Sequence, residues 1–235
     1  MSKDHNHHLW EHHVIGYVST NCYVFGKQEE AVLVDPGGPE VTSIVKKLQE
    51  KEIEIKHVVV THGHFDHLGW AADVMKLVEG AKVYLHEAEK PAVEPFLDRM
   101  VKQWGLPPCE LREPDVWVRE DNILDMAGLK YKVIHTPGHS PGSAVFQLLS
   151  KKEGHSTNLN LDSAFVGDLV FQGSIGRFDL PFSDGEDMKA SLIKLMEILP
   201  KHSELFPGHG NITDMGTELE SNPYLLAIKR NVPFF

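Results

Sequence analysis

The feature that most constrains this chain is a run of metal-binding residue types directly after an apolar strand. Residues 58–67 read VVVTHGHFDH, which brings three imidazoles and one carboxylate together within six positions. An ordinary loop after a buried strand has no use for four such groups, and protonated imidazoles would repel one another unless a cation occupied the site. The segment therefore predicts a metal site at the end of a strand.

The spacing within this segment divides its ligands into two groups. His62 and His64 alternate along an extended stretch and can point the same way, whereas Asp66 and His67 follow a bend and can face a second centre. Gly63 lets the backbone approach closely. Because one segment cannot complete two coordination spheres, further ligands are expected at the ends of other strands.

Three later positions fit this expectation. His139 follows a strand and a Pro-Gly turn, Asp168 ends the triplet Val-Gly-Asp, and His209 lies within Pro-Gly-His-Gly. Each is weak alone, but with the first segment they give five histidines and two aspartates. Imidazole and carboxylate ligands without thiolate favour zinc, iron or manganese at a catalytic site, since closed structural zinc sites usually include cysteine.

Hydrophobic periodicity around these ligands predicts an α/β fold. Strands are predicted at residues 14–18, 22–25, 31–34, 55–60, 82–85, 116–119, 130–135, 144–149, 164–170 and 204–206. Helices are predicted near residues 41–48, 68–78, 87–104, 186–199 and 224–229. The polar run at 150–163 is interpreted as a hairpin loop rather than a domain linker. Two β-rich portions, each followed by helices, indicate two sheets packed face to face with helices outside.

Composition excludes several classes of protein. The chain has 235 residues, of which 41% are apolar, so one domain can bury a core without disulfides, and we expect Cys22 and Cys109 to be reduced. Its net charge of −11, with no basic stripe, argues against binding to nucleic acid or to an anionic membrane. No stretch approaches the ~20 apolar residues of a membrane span. Residues 1–13 lack the apolar core of a secretory signal, so we expect a cytoplasmic protein.

The order of these motifs resembles the metallo-β-lactamase-fold hydrolases. Thr-His-x-His-x-Asp-His is followed in order by His139, Asp168 and His209. The runs GSIGR at 173–177 and NPYL at 222–225 are similar to the glyoxalase II-like branch. The resemblance covers nearly the whole chain and implies a four-layer αβ/βα sandwich of two mixed β-sheets with helices outside. It is more specific for the fold than for the substrate, because this fold hosts many reactions.

The resemblance also implies a centre with two divalent metal ions, zinc being favoured and iron or manganese being the alternatives. One ion is expected on His62, His64 and His139, and the second on Asp66, His67 and His209, with Asp168 bridging both. A metal-bridging hydroxide would attack a thioester carbonyl, because coordination lowers the pKa of water to about 7. Asp66 and Asp168 are expected to act catalytically by orienting that hydroxide.

The implied substrate is a small-molecule thioester, with hydroxyacylglutathione-like thioesters as the first candidates. Arg177 stands where the branch places a cation near the substrate, so we predict that it binds a glutathione carboxylate; the alternative is an ion pair with Asp179. Phe178 replaces a small hydroxyl residue that the branch often has there. Only eleven residues follow Tyr224, so the helical glutathione-binding domain of full-length glyoxalase II is expected to be absent.

Residues 14–235 are therefore predicted to form a single domain, and residues 1–13 a flexible histidine-rich arm, for which metal storage is the alternative. Three other functions stay open. A persulfide dioxygenase would use one iron on His62, His139 and Asp168, but the complete second site argues against it. A nucleic-acid-processing hydrolase of the same fold is disfavoured by the charge. A binding module without turnover is disfavoured by the full ligand set. The sequence does not predict the oligomeric state.

Overall fold

The computed structural model describes residues 8–27, 29–94, 112–151 and 162–233, together with residues 102, 105 and 110. Two six-stranded sheets lie face to face, and helices cover the outer face of each sheet. This arrangement confirms the predicted αβ/βα sandwich. Within the described ranges, none of the helices combines the length and the apolarity that crossing a lipid bilayer would need.

The first sheet is mixed, and its strands follow one another in chain order. They are β1 (His8–Ile15), β2 (Thr20–Lys27), β3 (Glu30–Val34), β4 (Glu54–Val59), β5 (Lys82–His86) and β6 (Val116–Val118). The first three form antiparallel hairpins, whereas β3 to β6 run parallel. Parallel neighbours need crossover connections. Those between β3 and β5 contain α1 (Val41–Glu50), α2 (Phe65–Leu68) and α3 (Ala71–Met75).

The second sheet has the strand order β14-β13-β10-β9-β8-β7. Its strands are β7 (Ile123–Met126), β8 (Leu129–His135), β9 (Ala144–Lys151), β10 (Ala164–Gly167), β13 (Glu204–Pro207) and β14 (Thr213–Asp214). Only the β10–β13 pair runs parallel among the described pairings of this sheet. A small hairpin, β11 (Val170–Phe171) and β12 (Ser174–Ile175), precedes α4 (Gly185–Ile198). The last elements are α5 (Met215–Ser221) and α6 (Pro223–Lys229).

Strand alternation explains the layers. In β2, Cys22 and Val24 face the helices outside the first sheet, whereas Tyr23 and Phe25 face the space between the sheets. Both faces of such strands are covered by apolar residues, which is why the sequence shows continuous apolar runs there. On α1, four buried residues recur at the predicted helical spacing; they are Val41, Ile44, Val45 and Leu48.

Three predicted elements differ in the structure. The helix expected at 68–78 is divided into α2 and α3, because Gly69 ends α2 and the Trp70 backbone N–H donates to the Pro36 carbonyl (N···O 3.1 Å). The helix expected at 87–104 begins as a 3-10 turn, Glu87–Glu89, and residues 95–101 and 103–104 lie outside the described residues. The strand expected at 164–170 breaks after Gly167, where φ is +50°, so Asp168 lies outside the sheet ladder.

The predicted flexible arm is wrong from His8 onward. Strand β1 pairs with β2 along its whole length, from His8 opposite Lys27 to Ile15 opposite Thr20. The Trp10 ring packs 4.8 Å from the Phe206 ring, centroid to centroid, and His12 stacks on Tyr23 at 5.0 Å. These histidines therefore belong to an edge strand, in which His12 is exposed and His13 is partly buried. Residues 1–7 lie outside the described residues.

The predicted hairpin loop and the two cysteines have separate outcomes. Strands β9 and β10 pair antiparallel, as expected for a hairpin, and most of the loop between them lies outside the described residues. The thiol of Cys22 is free and buried. Cys109 lies outside the described residues, so the expected absence of a disulfide stays a prediction for that position.

Candidate metal centre

Loops at one edge of the two sheets bring the predicted ligands together. The first segment follows β4 and runs into α2, and the remaining ligands follow β8, β10 and β13. Within each sheet the parallel strands end at one edge, and hydrogen bonds such as that from the Ala144 N–H to the Thr61 carbonyl (3.0 Å) join the edges of the two sheets. The ligand residues gathered there are His62, His64, Asp66, His67, His139, Asp168 and His209.

The first group, which we call the three-histidine half, contains His62, His64 and His139. One ring nitrogen of each lies within 4.8 Å of the others. The ring centroids of His62 and His64 are 4.5 Å apart, and those of His64 and His139 are 4.4 Å apart. Three imidazoles at this separation match the ligand spacing of one metal ion.

The second group, which we call the carboxylate half, contains Asp66, His67 and His209. The Asp66 Oδ2 atom lies 3.2 Å from Nε2 of His209 and 3.5 Å from Nε2 of His67. These three residues also offer ligand atoms within 4.8 Å of one another. The geometry therefore forms a second potential metal site.

Asp168 touches both halves. Its Oδ2 atom lies 3.4 Å from Nε2 of His139 and 3.6 Å from Nε2 of His209. Its Oδ1 atom lies 3.5 Å from Nε2 of His67. Oδ2 therefore lies between the two halves, and Oδ1 faces the carboxylate half, so the carboxylate has the position that a bridging ligand would need.

The electrostatics of the two halves are opposite. Burial and the neighbouring imidazoles lower the pKa of His62 well below its usual value, and burial also lowers the pKa of His139. Burial opposes charge on His67 too, but Asp66, Asp35 and Asp168 together raise its pKa to about 10. The pKa of Asp66 is lowered below its usual range, because nearby His67 and His209 outweigh the effect of burial.

Several buried atoms at the centre have no hydrogen-bond partner among the described residues. They are Nε2 of His62, His67 and His139, and Oδ1 of Asp168. An unsatisfied buried polar atom costs about 1–3 kcal/mol. Their convergence fits a shared cationic ligand, and imidazole nitrogen with carboxylate oxygen is a donor set suited to zinc, iron or manganese.

Contacts behind the ligands fix the orientation of two imidazoles. Nδ1 of His139 donates to the Arg177 carbonyl (2.7 Å), and Nδ1 of His209 lies 3.4 Å from the Ser19 carbonyl. Each ring is thereby turned so that Nε2 points into the centre. Such supporting contacts select the tautomer that can bind a metal.

Asp35 contacts the centre, although the sequence did not indicate a role for it. Its Oδ2 atom lies 3.0 Å from Nδ1 of His67. It also accepts hydrogen bonds from the Thr61 backbone N–H (2.8 Å) and the Thr61 hydroxyl (2.9 Å). Its φ of +53° is a conformation that aspartate tolerates better than most residues. The available signal was its position at the end of a strand beside β4.

Asn21 and Tyr23 make contacts near the centre that the sequence did not indicate. The Asn21 amide donates to the Pro207 and Gly210 carbonyls (3.0 and 2.9 Å), and the Tyr23 hydroxyl donates to the Pro207 carbonyl (2.7 Å). Both residues belong to the first sheet, and the loop they hold follows β13 of the second. They therefore fasten the His209 loop to the opposite sheet.

Arg177 lies beside the centre through its backbone rather than through its charge. Its guanidinium donates to Asp179 twice, from Nε to Oδ1 (2.8 Å) and from a terminal nitrogen to Oδ2 (3.0 Å). Both side chains are about two-thirds exposed. The structure thus shows the ion pair that was the alternative interpretation of Arg177.

The other described histidines lie outside the three candidate ligand groups. His57 contacts Tyr84 and Glu30, and His202 lies near Asp162. The rings of His86 and His135 stack with centroids 4.0 Å apart. His155 lies outside the described residues.

Comparisons with known proteins agree with this geometry. The model of the metallo-beta-lactamase superfamily matches residues 15–209. The hydroxyacylglutathione hydrolase GloC of Haemophilus influenzae is 32% identical over 209 residues, which cover 87% of this chain and 92% of that protein. The probable metallo-hydrolase YqgX of Bacillus subtilis is 30% identical over 217 residues, 92% of this chain and 97% of that protein.

Solved structures of the same fold cover nearly all of the chain. The B3 metallo-beta-lactamase BLEG-1 is 31% identical with a TM-score of 0.79, covering 92% of this chain and 99% of that one. TTHA1623 in a di-iron-bound form is 34% identical with a TM-score of 0.75, covering 92% of this chain and 100% of that one.

Proposed function

Because this chain belongs to the metallo-β-lactamase superfamily and is a metallo-hydrolase of that fold, we propose that it cleaves thioesters of the hydroxyacylglutathione type. The observation that carries the proposal is the position of Asp168, within 3.6 Å of imidazoles from both halves of the centre. The similarity to GloC supports the substrate class.

The residues that would hold the metal ions follow from the two halves. The three-histidine half would hold one ion, the carboxylate half the other, and Asp168 would contact both. When bound, divalent ions lower the pKa of water and polarise a carbonyl group. Zinc is the first candidate, with iron or manganese as alternatives.

The chain itself contributes orientation. The lowered pKa of Asp66 keeps its carboxylate ionised, so it can accept a hydrogen bond from an attacking water and hold it beside Asp168. A thiolate is a good leaving group, so a thioester needs less help from a general acid than an amide does. Cys22 takes no part, because burial raises the pKa of its thiol well above the usual value.

Arg177 is proposed to contact a carboxylate of the glutathione portion. An exposed ion pair such as Arg177–Asp179 contributes only about 0–1 kcal/mol, so the guanidinium can exchange Asp179 for a substrate carboxylate. Its carbonyl accepts a hydrogen bond from Nδ1 of His139, which holds its backbone beside the centre. We propose a small-molecule substrate and no nucleic-acid partner.

The test combines metal content per chain with two activities of the purified protein. We expect two metal ions and hydrolysis of S-lactoylglutathione. One iron per chain with oxygen uptake on glutathione persulfide would instead identify a dioxygenase and overturn the proposal. Arg177→Ala should raise KM for S-lactoylglutathione without lowering kcat, whereas Asp179→Asn, the matched control, should leave KM unchanged or lower it.

A further inference from the structure

Glu89 is a buried carboxylate next to the three-histidine half. It ends the 3-10 turn Glu87–Glu89 after β5 and is only 1% exposed. Burial raises the pKa of its carboxyl group. A buried carboxyl group is costly unless its oxygens are well bonded, so the partners of Glu89 indicate what it does.

Its hydrogen bonds come from two different loops of the centre. The Ser140 hydroxyl and the Gly142 backbone N–H (2.9 Å) both donate to Oε1. The Gly63 backbone N–H also donates to the carboxylate. Gly63 lies between the ligands His62 and His64, and Ser140 directly follows the ligand His139. One side chain therefore connects both segments that supply the three histidines.

The fit around Glu89 is close on both sides. A Cβ atom at Gly63 would lie 2.7 Å from Oε2, and one at Gly142 would lie 2.6 Å from Cγ of Glu89. The Ser140 hydroxyl also lies 2.7 Å from the Ser143 hydroxyl, and this second contact restricts the positions that the Ser140 side chain can take. Moving the carboxylate would therefore displace one ligand loop relative to the other.

The turn that carries Glu89 is itself anchored at the junction of the two sheets. Nδ1 of His86 accepts a hydrogen bond from the Ala88 backbone N–H (3.3 Å). The His86 ring, at the end of β5, stacks on His135, at the end of β8, with an angle of 12° between the planes. Glu89 thus projects from a support that both sheets hold in place.

We propose that Glu89 is a positioning residue, which keeps the three-histidine half in ligating geometry by joining its two loops. The role rests on the proposed metal centre but not on the proposed substrate. A carboxylate offers acceptors on both oxygens, whereas the amide of Glu89→Gln offers one acceptor and a donor group. In that variant the amide NH₂ group must face either the Gly63 N–H or the donors of the Ser140 loop, and so one hydrogen bond is lost. The shape of the side chain is unchanged.

The test is a Zn²⁺ titration of the metal-free protein against a chromophoric chelator. For Glu89→Gln we expect one of the two sites to bind Zn²⁺ about 10- to 100-fold more weakly, with the other site unchanged. Substitution with Co²⁺ should show altered d–d absorption for the affected site only. Wild-type affinity at both sites, or equal weakening of both, would overturn the proposal.

Glu218→Gln is the matched control. Glu218 is equally buried and accepts hydrogen bonds from the Thr213 hydroxyl (2.6 Å), the Gly173 backbone N–H (2.9 Å) and the Asn222 amide (2.9 Å). None of these donors lies on the loops of the three-histidine half. We expect Glu218→Gln to lower thermal stability while both Zn²⁺ affinities stay at the wild-type value.

A second variant keeps the proposal testable if Glu89→Gln does not fold. Ser140→Ala removes one of the three donors and should weaken Zn²⁺ binding at one site several-fold; unchanged affinity would overturn the proposal. Because these titrations need no substrate, they separate the two proposals. Absence of thioester cleavage with the expected Zn²⁺ affinities would contradict the proposed function alone.

Discussion

The two halves of the metal centre lie side by side but are built differently. The three-histidine half has imidazoles whose pKa values are lowered, chiefly by burial, so its ligands are already neutral. In the carboxylate half, the pKa values of His67 and His209 are raised because carboxylates surround them. The single segment after β4 therefore supplies ligands to two sites whose electrostatic environments differ.

The two halves are also held in place by different supporting residues. The three-histidine half depends on Glu89, which bonds neutral donors of two loops. The carboxylate half depends on Asp35 behind His67 and on the first-sheet residues that hold the His209 loop. Substitutions can therefore weaken one half selectively, or both together at Asp168.

The largest effect is expected for Asp168→Asn, because Asp168 touches both halves. The amide keeps the size of the side chain but loses the charge that both groups of ligands share. We expect at least a 100-fold loss of turnover and less bound metal in both halves, with an unchanged far-ultraviolet circular dichroism spectrum. Wild-type turnover and metal content would show that Asp168 does not link the halves.

The next largest effects should come from two glycines, one in each half. A Cβ atom at Gly208 would lie 2.2 Å from Oδ1 of Asp168 and 2.5 Å from Cε1 of His67, whereas one at Gly63 would press on Glu89. Gly208→Ala should therefore reduce metal affinity in the carboxylate half, and Gly63→Ala in the three-histidine half, each by about 10- to 100-fold.

Gly80→Ala is the control for these glycine variants. Gly80 has a φ of +75° and no atom within 4 Å of a built Cβ, so only backbone strain is added. We expect a loss of about 1 kcal/mol in the free energy of unfolding and no change in metal affinity. If Gly63→Ala and Gly208→Ala weakened the same site, the proposed division into halves would be wrong.

How much of this centre the sequence could predict depended on the range of the contacts involved. The ligands His62 and His64 were predictable because their spacing along one strand end determines a common direction. Asp35 was not, since its contact with His67 exists only because β3 lies parallel beside β4. Glu89 was not either, because its partners Ser140 and Gly142 are more than fifty positions away along the chain.

Prediction of the fold from the sequence was limited in the same way, by contacts between distant segments. The layers were predictable because strands with both faces buried carry long apolar runs, as in the segment that leads to His62. Strand β1 was not, because its segment contains three histidines and one glutamate and is held in place by pairing with β2. The break after Gly167 was hidden for a similar reason, since Gly167 lies close to Thr61, in the loop that follows β4 of the other sheet.

A smaller effect is expected for Asp35→Asn. Asparagine tolerates the positive φ of this position and still offers an oxygen to one donor, but it loses the charge that faces Nδ1 of His67. We expect metal affinity to fall about tenfold in the carboxylate half and to stay unchanged in the three-histidine half. A Zn²⁺ titration measures both, and equal weakening of the halves would contradict the assignment of Asp35 to one of them.

The smallest effect concerns pH and the support of the three-histidine half. Burial and the stacked ring of His135 lower the pKa of His86 to about 4, with Glu87, Glu120 and Lys194 also nearby. The ordinary histidine pKa is about 6.5, so as pH falls from about 6.5 to about 4 the unfolded chain binds a proton that the folded protein excludes. The contribution of His86 to the stability of the metal-free protein is therefore fully present above that window and is lost as the pH falls through it.

The matched variant is His86→Asn, in which an asparagine side chain can still cap the Ala88 N–H but cannot take up a proton. We expect the wild type to lose about 2 kcal/mol more than this variant between pH 7 and pH 4.5, measured by urea unfolding of the chelator-treated proteins. If the free energy of unfolding fell by the same amount in both proteins, the folded environment of His86 would not disfavour its protonation. The turn that supports the three-histidine half would then be no more sensitive to acid than the ligands themselves, whose pKa values are low.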